Sequence, residues 1–392
     1  MRCRIDRLAV CAVAAVVAAG CSGGSGAEPS EIAATASTTA ASTTAATTPT
    51  TGASAATPAG TTPTTSGTGC PTPGTAADPG CWQQVLPLGN GGFPLAPGSQ
   101  NTPLWEPGLF PLTLTPHVAF GGQLWMVARL HAYSSPDGVT WTQHDKTDWG
   151  ERIYQSIVYF DDRLWMYGGM DYEARTFSND IWSSTDGATW TPVGTAAWPE
   201  RGGHTMVVFD DQLWLFGGAD HAGADRGLDG FLNDVWVSDD GVEWRQVTAA
   251  APWAARELPG VVVFGDELYL IGGQGHADVW TSSNGVDWTQ LTAAADWMPR
   301  MGYGRAVFAG RLWVLGGWVD RTTNALNDVW YSTDGVAWHR QAEHAPWGPR
   351  SPVVTVFDDA LWIYSGKHTG ASDNWGGDLW RMSATPAPSG GP

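Results

Sequence analysis

Short apolar runs separated by polar pairs recur along most of the chain. The run VVFDDQLWLFGG (207–218) places two apolar stretches around two aspartates, which is the pattern of a β-hairpin. A phenylalanine precedes a leucine by four positions in six copies of this pattern, at Phe120, Phe160, Phe209, Phe264, Phe308 and Phe357. Five of the copies end in Gly-Gly or Ser-Gly, and the first does not. The sequence therefore predicts six hairpins of one kind.

A second run follows each of these hairpins. LNDVWVSDDGVEWRQV (232–247) is repeated in four further copies, each with two β-rich stretches around Asp-Gly or Asn-Gly. That dipeptide accepts the positive φ angles of a two-residue hairpin turn, so we predict such a turn here. The motif S-x-D-G-x-x-W is similar to the Asp-box of sialidase propellers but is one residue shorter.

Each unit thus contains four strands, named a to d, and six units predict an all-β, six-bladed β-propeller. The predicted blades span 112–145, 153–195, 204–249, 260–292, 304–342 and 353–382. The sixth unit lacks strand d, because DLWRM (378–382) is followed by SATPAPSGGP. CWQQV (81–85) matches strand d copies such as EWRQV. We therefore predict that residues 81–86 supply the outer strand of the last blade and close the ring.

The chain resembles kelch-repeat propellers, whose period is roughly 50 residues. The resemblance covers essentially all of 81–382 and depends on the Gly-Gly after strand b and the tryptophan of strand d. All but two of the 24 tryptophans occupy repeat positions, which indicates packing between blades rather than ligand stacking.

The N-terminal 80 residues have a different composition. Residues 1–20 have a basic start and a short apolar run, as in an export signal, and AAGC (18–21) resembles a lipoprotein processing site with Cys21 as the lipidated residue. An ordinary secretory signal is the alternative. Residues 21–80 are rich in Ala, Thr, Ser and Pro and predict a solvated tether, and 384–392 predict a disordered tail. We expect the propeller, residues 81–383, to lie outside the cytoplasm, with only a lipid anchor in the membrane.

Cysteine content and charge narrow the chemistry. In an exported protein Cys70 and Cys81 would form one disulfide, and no cysteine lies beyond them. The net charge of −19 with only two lysines argues against nucleic-acid partners. Galactose-oxidase-like kelch enzymes use a Tyr–Cys copper site, whose cysteine is missing here. We therefore predict no cofactor and no metal, and we expect a monomer.

Candidate site residues lie on the face formed by the b–c loops and the d–a crossings. The crossings carry W-x-x-R, and its arginines would surround the channel mouth as an anion site or pair with aspartates of neighbouring blades, Asp180, Asp234, Asp278, Asp328 or Asp378. Five near-identical copies favour the structural interpretation. The arginines concerned are Arg152, Arg201, Arg256, Arg300 and Arg350.

Residues that break the repeat are stronger candidates. Trp318 and Trp375 fall in b–c loops, where exposed indoles would stack on a sugar or anchor a protein, unless they pack within their loops. His221, His276 and His368 fall in three such loops and would be separate surface residues or a shared site. Arg305, on the inner strand GYGRAVF, would place a charge in or beside the channel.

Three functions follow from this pattern. The first is a non-catalytic binding module for a glycan or protein, because no catalytic constellation is evident. The second is a sugar-modifying enzyme, since the chain resembles bacterial N-acetylneuraminate epimerases in export, size and six kelch blades. That resemblance implies arginines on a sialic-acid carboxylate and a Glu or His that moves a proton. The third is a scaffold in the cell envelope.

Overall fold

The computed structural model describes residues 82–86, 117–128, 130–171, 174–220, 230–319, 324–368 and 375–383, with the backbone alone at 365–368 and 375–377. Within these ranges the regular secondary structure is β throughout, and six sheets form a six-bladed β-propeller. The fold class predicted from the repeats is confirmed. The predicted signal, tether and tail, together with Cys21, Cys70 and Cys81, lie outside the described residues.

The strands follow the repeat in chain order. The first strand is β1 (Trp82–Leu86). Blade one contains β2 (His117–Phe120), β3 (Gln123–Ala128), β4 (His131–Ser135) and β5 (Thr142–Lys146). Blade two contains β6 (Arg152–Ile153), β7 (Ser156–Phe160), β8 (Arg163–Asp171), β9 (Phe177–Ser184) and β10 (Thr191–Thr195). Blade three contains β11 (Thr205–Phe209), β12 (Gln212–Ala219), β13 (Phe231–Ser238) and β14 (Trp244–Thr248).

The second half of the ring has the same order. Blade four contains β15 (Val261–Phe264), β16 (Glu267–Gly273), β17 (His276–Ser282) and β18 (Thr289–Thr292). Blade five contains β19 (Gly304–Phe308), β20 (Arg311–Trp318), β21 (Ala325–Ser332) and β22 (His339–Ala342). Blade six contains β23 (Arg350–Phe357), β24 (Ala360–His368) and β25 (Trp375–Ser383), with β1 as its fourth strand.

The hairpin between strands a and b is as short as the sequence predicts. In blade two Asp161 and Asp162 have φ angles of 48° and 58°, so both central residues are left-handed, as in a type I′ turn. The indole N–H of Trp165 on strand b donates to the carbonyl oxygen of Phe160 across this turn, at 3.0 Å. The same bond recurs in four other blades, from Trp125, Trp214, Trp313 and Trp362.

The predicted two-residue turn between strands c and d is wrong. In blade five strand c ends at Ser332 and strand d begins at His339, so a longer loop joins them. Asp334 Oδ1 accepts the backbone N–H groups of Val336 and Ala337, at 2.8 and 2.9 Å, and the Ser332 hydroxyl accepts the N–H of Gly335. These bonds, rather than a tight turn, explain S-x-D-G-x-x-W, and they hold the pKa of Asp334 below its ordinary value.

The ring closes as predicted. The strand β1 pairs antiparallel with β25, with Trp82 opposite Met382 and Gln84 opposite Trp380. Trp82 also packs edge-on against the crossing residue Trp347, with ring centroids 6.2 Å apart. Trp338 packs in the same way against Trp297 one blade earlier, at 5.8 Å. The early strand therefore takes both the backbone and the aromatic contacts of strand d in its blade.

Candidate functional site

The crossing arginines of blades two to six form one repeated buried structure. Arg201 has no exposed surface, and its Nη1 and Nη2 donate to the two carboxylate oxygens of Asp234 at 2.7 and 2.8 Å. The guanidinium carbon lies 5.8 Å from the ring centroid of Trp198. The partners are Arg152–Asp180, Arg201–Asp234, Arg256–Asp278, Arg300–Asp328 and Arg350–Asp378. Each aspartate lies on strand c of the blade that the crossing enters.

The paired glycines of strand b complete this structure. Gly217 has a φ of 54°, and its carbonyl oxygen accepts a bond from Arg201 Nη1 at 3.0 Å. A Cβ there would lie 2.9 Å from the carbonyl oxygen of Leu232, so only glycine fits without a shift. The indole N–H of Trp236 donates at 2.7 Å to Asp234 Oδ2, which also accepts from Arg201 Nη2. The crossing arginine, the paired glycines and the D-x-W motif of the repeat therefore form one hydrogen-bonded structure.

The pKa values of two of these carboxylates, Asp180 and Asp278, are lowered. Burial alone would raise the pKa of Asp278, but the hydrogen bonds and charge of Arg256 outweigh burial, and the pKa lies below its ordinary value. This geometry contradicts the hypothesis that these arginines bind an anion at the channel mouth. Arg152 is 9% exposed and the other four are fully buried, so their donors face carboxylates and carbonyls.

Several predicted loop residues lie in strands instead. Trp318 ends β20 and is 7% exposed. Its backbone N–H and C=O both bond to Met301 at 2.8 Å, and these bonds extend the strand under the next crossing. It is not an exposed loop indole. Trp375 begins β25 and His368 ends β24, but their side chains are outside the described set. His276 begins β17 and is half-buried, and His221 lies outside the described residues.

A cavity of about 270 Å³ lies where the inner strands begin. Every blade contributes to its wall, through residues that include His117, Gln155, His204, Leu258, Arg305 and Val353. The crossings that lead into these strands bond to the ends of strand b, as Met301 does to Trp318. The cavity is therefore at the end of the propeller where the crossings and the b–c connections lie, the face that the sequence favoured.

Arg305 is the cation of this cavity, as its place on the inner strand predicted. It comes from blade five, and its Nη2 donates to the hydroxyl of Thr205 on blade three at 3.0 Å. Thr205 in turn donates to the carbonyl oxygen of Pro259 at 2.5 Å. Within the described residues Arg305 makes no ion pair, and no Asp or Glu lines the cavity. Its charge is thus available to a ligand.

Blades four and five also contact each other at this end of the channel, through Tyr303. At Gly260 a Cβ would lie 2.1 Å from the Tyr303 hydroxyl, so a side chain there would displace the tyrosine. That hydroxyl donates to the carbonyl oxygen of Ile271 in blade four. Burial raises the pKa of Tyr303 to about 12, so it stays protonated at neutral pH. Tyr303 therefore reaches across to blade four beside Gly260, the residue that precedes β15.

Other polar atoms in the cavity wall have no hydrogen-bond partner among the described residues. They are Oε1 of Gln155, Nδ1 of His117 and both ring nitrogens of His204. Burial lowers the pKa of His204 to about 3, with a smaller effect of Arg201, and burial alone lowers that of His117 to about 3. Both imidazoles are neutral at physiological pH. The cavity thus combines one cation with uncharged hydrogen-bonding groups.

The sequence analysis missed His117, Gln155, His204 and Tyr303. A signal was present, because the position five residues before the repeat phenylalanine differs in blades two to six. It is Gln155, His204, Pro259, Tyr303 and Pro352 in turn. A position that varies inside an otherwise regular repeat, at the end of the channel, would have identified this wall.

The described residues contain no group of three or more His, Cys, Asp or Glu side chains arranged to hold a metal ion. In the same part of the chain, no helix is long and apolar enough to cross a bilayer.

Comparisons with known proteins agree with the architecture. No protein-family model matches the sequence. No curated protein matches it either. A solved structure described as that of YjhT aligns with a TM-score of 0.56 and 17% sequence identity, over 68% of this chain and 93% of that chain. It too is a propeller, and at this identity the similarity shows the fold alone.

Proposed function

We propose that this protein is an exported recognition propeller that binds a carboxylate-bearing sugar in the central cavity. One observation carries the proposal. Arg305 presents to the cavity a guanidinium that has no ion pair with any residue the structure describes, whereas the crossing arginines of five blades are each neutralised by an aspartate. A half-buried guanidinium favours a carboxylate, which its planar donors match.

The rest of the wall supports a polyhydroxylated ligand. Gln155 Oε1 accepts a hydroxyl hydrogen, and so does Nδ1 of His117, whose Nε2 already donates to Met126 Sδ at 3.3 Å, whereas His204 offers one donor and one acceptor. Buried polar atoms that gain partners on binding make recognition selective, because a ligand without hydroxyl groups would leave them unsatisfied. Arg305 is the single cation among the described residues that line the cavity, which suits a ligand with one negative charge.

Binding is measured by titration calorimetry with N-acetylneuraminate and glucuronate. We expect Arg305→Gln to weaken binding at least tenfold, while Arg340→Gln, which changes a surface arginine on blade five, leaves it within a factor of two. The two variants lose the same charge, so equal losses of affinity would contradict a local role for Arg305. Failure of both sugars to bind the unaltered protein would also refute the proposal.

A sugar-modifying enzyme is the second candidate function, because both nitrogens of His204 lack partners in the cavity that holds Arg305. Such an arrangement could anchor a carboxylate and move a proton. The low pKa of His204 makes it a weak base at neutral pH, which favours recognition over catalysis. Faster exchange between the anomers of N-acetylneuraminate by NMR, abolished by His204→Gln, would support the enzyme.

A further inference from the structure

Thr205 connects three blades beside the cavity. It begins β11 in blade three and is 6% exposed. Its hydroxyl donates to the carbonyl oxygen of Pro259, in the crossing into blade four, at 2.5 Å, and accepts from Arg305 Nη2 of blade five at 3.0 Å. A hydroxyl has one hydrogen and a guanidinium has only donors, so both bonds have a fixed direction. Thr205 therefore offers Arg305 an acceptor and keeps no hydrogen for a ligand.

The far end of this chain of bonds is held by the backbone. The carbonyl oxygen of Pro259 also accepts the N–H of Val261, at 3.0 Å, and the preceding residue, Leu258, donates its N–H to the carbonyl oxygen of Gly203 at 2.7 Å. Pro259 is thus anchored to the crossing that enters blade three on one side and to the start of β15 on the other. The Thr205 hydroxyl cannot turn towards a ligand without breaking its bond to this anchored carbonyl.

The rest of the Arg305 guanidinium has no such anchor. Among the described residues its Nε and Nη1 form no hydrogen bond, and Thr205 is its one hydrogen-bond partner. An arginine side chain that is free to rotate has many rotamers, and fixing them on binding reduces affinity. A guanidinium that is already held through one nitrogen loses less freedom when a carboxylate binds, and its other donors remain for that carboxylate. The Thr205 bond therefore prepares Arg305 for an anion.

The position of Thr205, four residues before the repeat phenylalanine, differs among the blades. In blade two it is Ser156, whose hydroxyl donates to the carbonyl oxygen of His204 in the next blade at 3.0 Å and bonds to no arginine that the structure describes. No hydroxyl occupies this position in the remaining blades, which have Pro116, Gly260, Gly304 and Val353. Of the two hydroxyls at this position, only that of Thr205 also accepts from a guanidinium.

We propose that Thr205 is a positioning residue for the acidic sugar, because it holds the guanidinium of Arg305 where the sugar carboxylate binds. The inference rests on the proposed function, since the affinity that Thr205 raises is that of the carboxylate site. The one hydrogen of its hydroxyl is donated to Pro259, so Thr205 acts through Arg305 and not on the sugar directly. Loss of this hydroxyl should therefore weaken binding only while Arg305 is present.

The test is a double-mutant cycle, measured by titration calorimetry with N-acetylneuraminate or glucuronate, whichever binds the unaltered protein more tightly. Thr205→Val keeps the shape of the side chain and removes the acceptor, and we expect it to weaken binding about fivefold. Thr205→Ala also lacks the hydroxyl and should give the same loss, whereas Thr205→Ser restores a hydroxyl and should bind within a factor of two of the unaltered protein. In protein that already carries Arg305→Gln, adding Thr205→Val should change the affinity by less than a factor of two.

Ser351→Ala is the matched control. The Ser351 hydroxyl also joins two blades, by donating to the carbonyl oxygen of Gly302, but it does not line the cavity and makes no hydrogen bond to Arg305. Its loss should leave the affinity within a factor of two.

Three results would show that the positioning role is wrong while the proposed function stands. They are unchanged sugar binding by Thr205→Val and Thr205→Ala, an equal loss with and without Arg305, and a loss in Thr205→Ser as large as in Thr205→Val. If neither sugar binds the unaltered protein, the proposed function fails and the inference fails with it.

Discussion

Arg300 and Arg305 lie five residues apart in blade five and have opposite environments. Arg300 is fully buried, donates to both oxygens of Asp328 at 2.5 and 2.9 Å, and lies 5.9 Å from the ring of Trp297. Arg305 lines the cavity, donates to a hydroxyl, and has no carboxylate partner among the described residues. The first environment recurs in five blades and the second occurs once in the described part of the ring.

The difference teaches how to interpret a repeat. A charged residue that recurs in every unit has a partner that recurs with it, and the pair maintains the unit. A charged residue that replaces an apolar one in a single unit has no such partner. The positions that correspond to Arg305 in the other blades are His117, which is neutral, and the apolar Ile157, Met206, Val261 and Val354. The exception, rather than the repetition, marks the site.

Removing the buried cation should have the largest effect. We expect Arg300→Gln to lower the free energy of unfolding by about 3 kcal/mol, because it leaves Asp328, whose side chain is 15% exposed, without its counter-ion. Arg305→Gln should cost less than about 1 kcal/mol, since no ion pair is lost. Urea unfolding followed by tryptophan fluorescence measures both. The double change Arg300→Met with Asp328→Leu should recover part of the lost unfolding free energy. If Arg300→Gln and Arg305→Gln lowered the unfolding free energy equally, the two arginines would not differ in the way described.

The cavity histidines should give an intermediate effect that depends on pH. His204 has an ordinary pKa of 6.5 in the unfolded chain and a pKa of about 3 when folded, so only the unfolded chain binds a proton between these values. Stability therefore falls as pH drops from 6.5 towards 3, by about 1.4 kcal/mol per pH unit for each such group. His204→Gln should reduce this slope, as measured by urea unfolding at pH 6.5, 5.5 and 4.5. The exposed His339→Gln is the control, and equal slopes for wild type and His204→Gln would show that His204 is hydrated.

A third kind of arginine sharpens the comparison and should give the smallest effect. Arg340 pairs with Glu343 at 3.5 Å, and their side chains are 48% and 66% exposed. Solvent and salt screen such a pair, so Arg340→Ala should change the unfolding free energy by about 0.5 kcal/mol or less. A loss comparable with that of Arg300→Gln would mean that burial does not separate these arginines.

The repeat in the sequence was enough to predict the fold. Six phenylalanines at one offset fixed the number of blades, and the likeness of CWQQV to EWRQV placed β1 beside β25. The loop after strand c was mispredicted, because Asp-Gly suggested a two-residue turn. The side chains of Ser332 and Asp334 instead hold a longer loop, and only their hydrogen bonds reveal it.

The site was predictable in part. Arg305 could be named from its place on an inner strand, but its neighbour Thr205 lies 100 residues away, and only the ring brings them together. Trp318 was misplaced, because the paired glycines suggested that strand b had ended, whereas backbone bonds to Met301 extend it. Burial and long-range pairing depend on tertiary structure, so these features could not be read from the residues alone.

The central claim is that Arg305 alone, among the arginines compared in blade five, offers an unpaired charge to the cavity. The most direct test is modification of the native protein by phenylglyoxal, mapped residue by residue by mass spectrometry. We expect Arg305 to react, N-acetylneuraminate to slow that reaction at least fivefold, and Arg300 to react only after unfolding. If Arg300 reacts as fast as Arg305 in the native protein, or if Arg305 is inert, the account is contradicted.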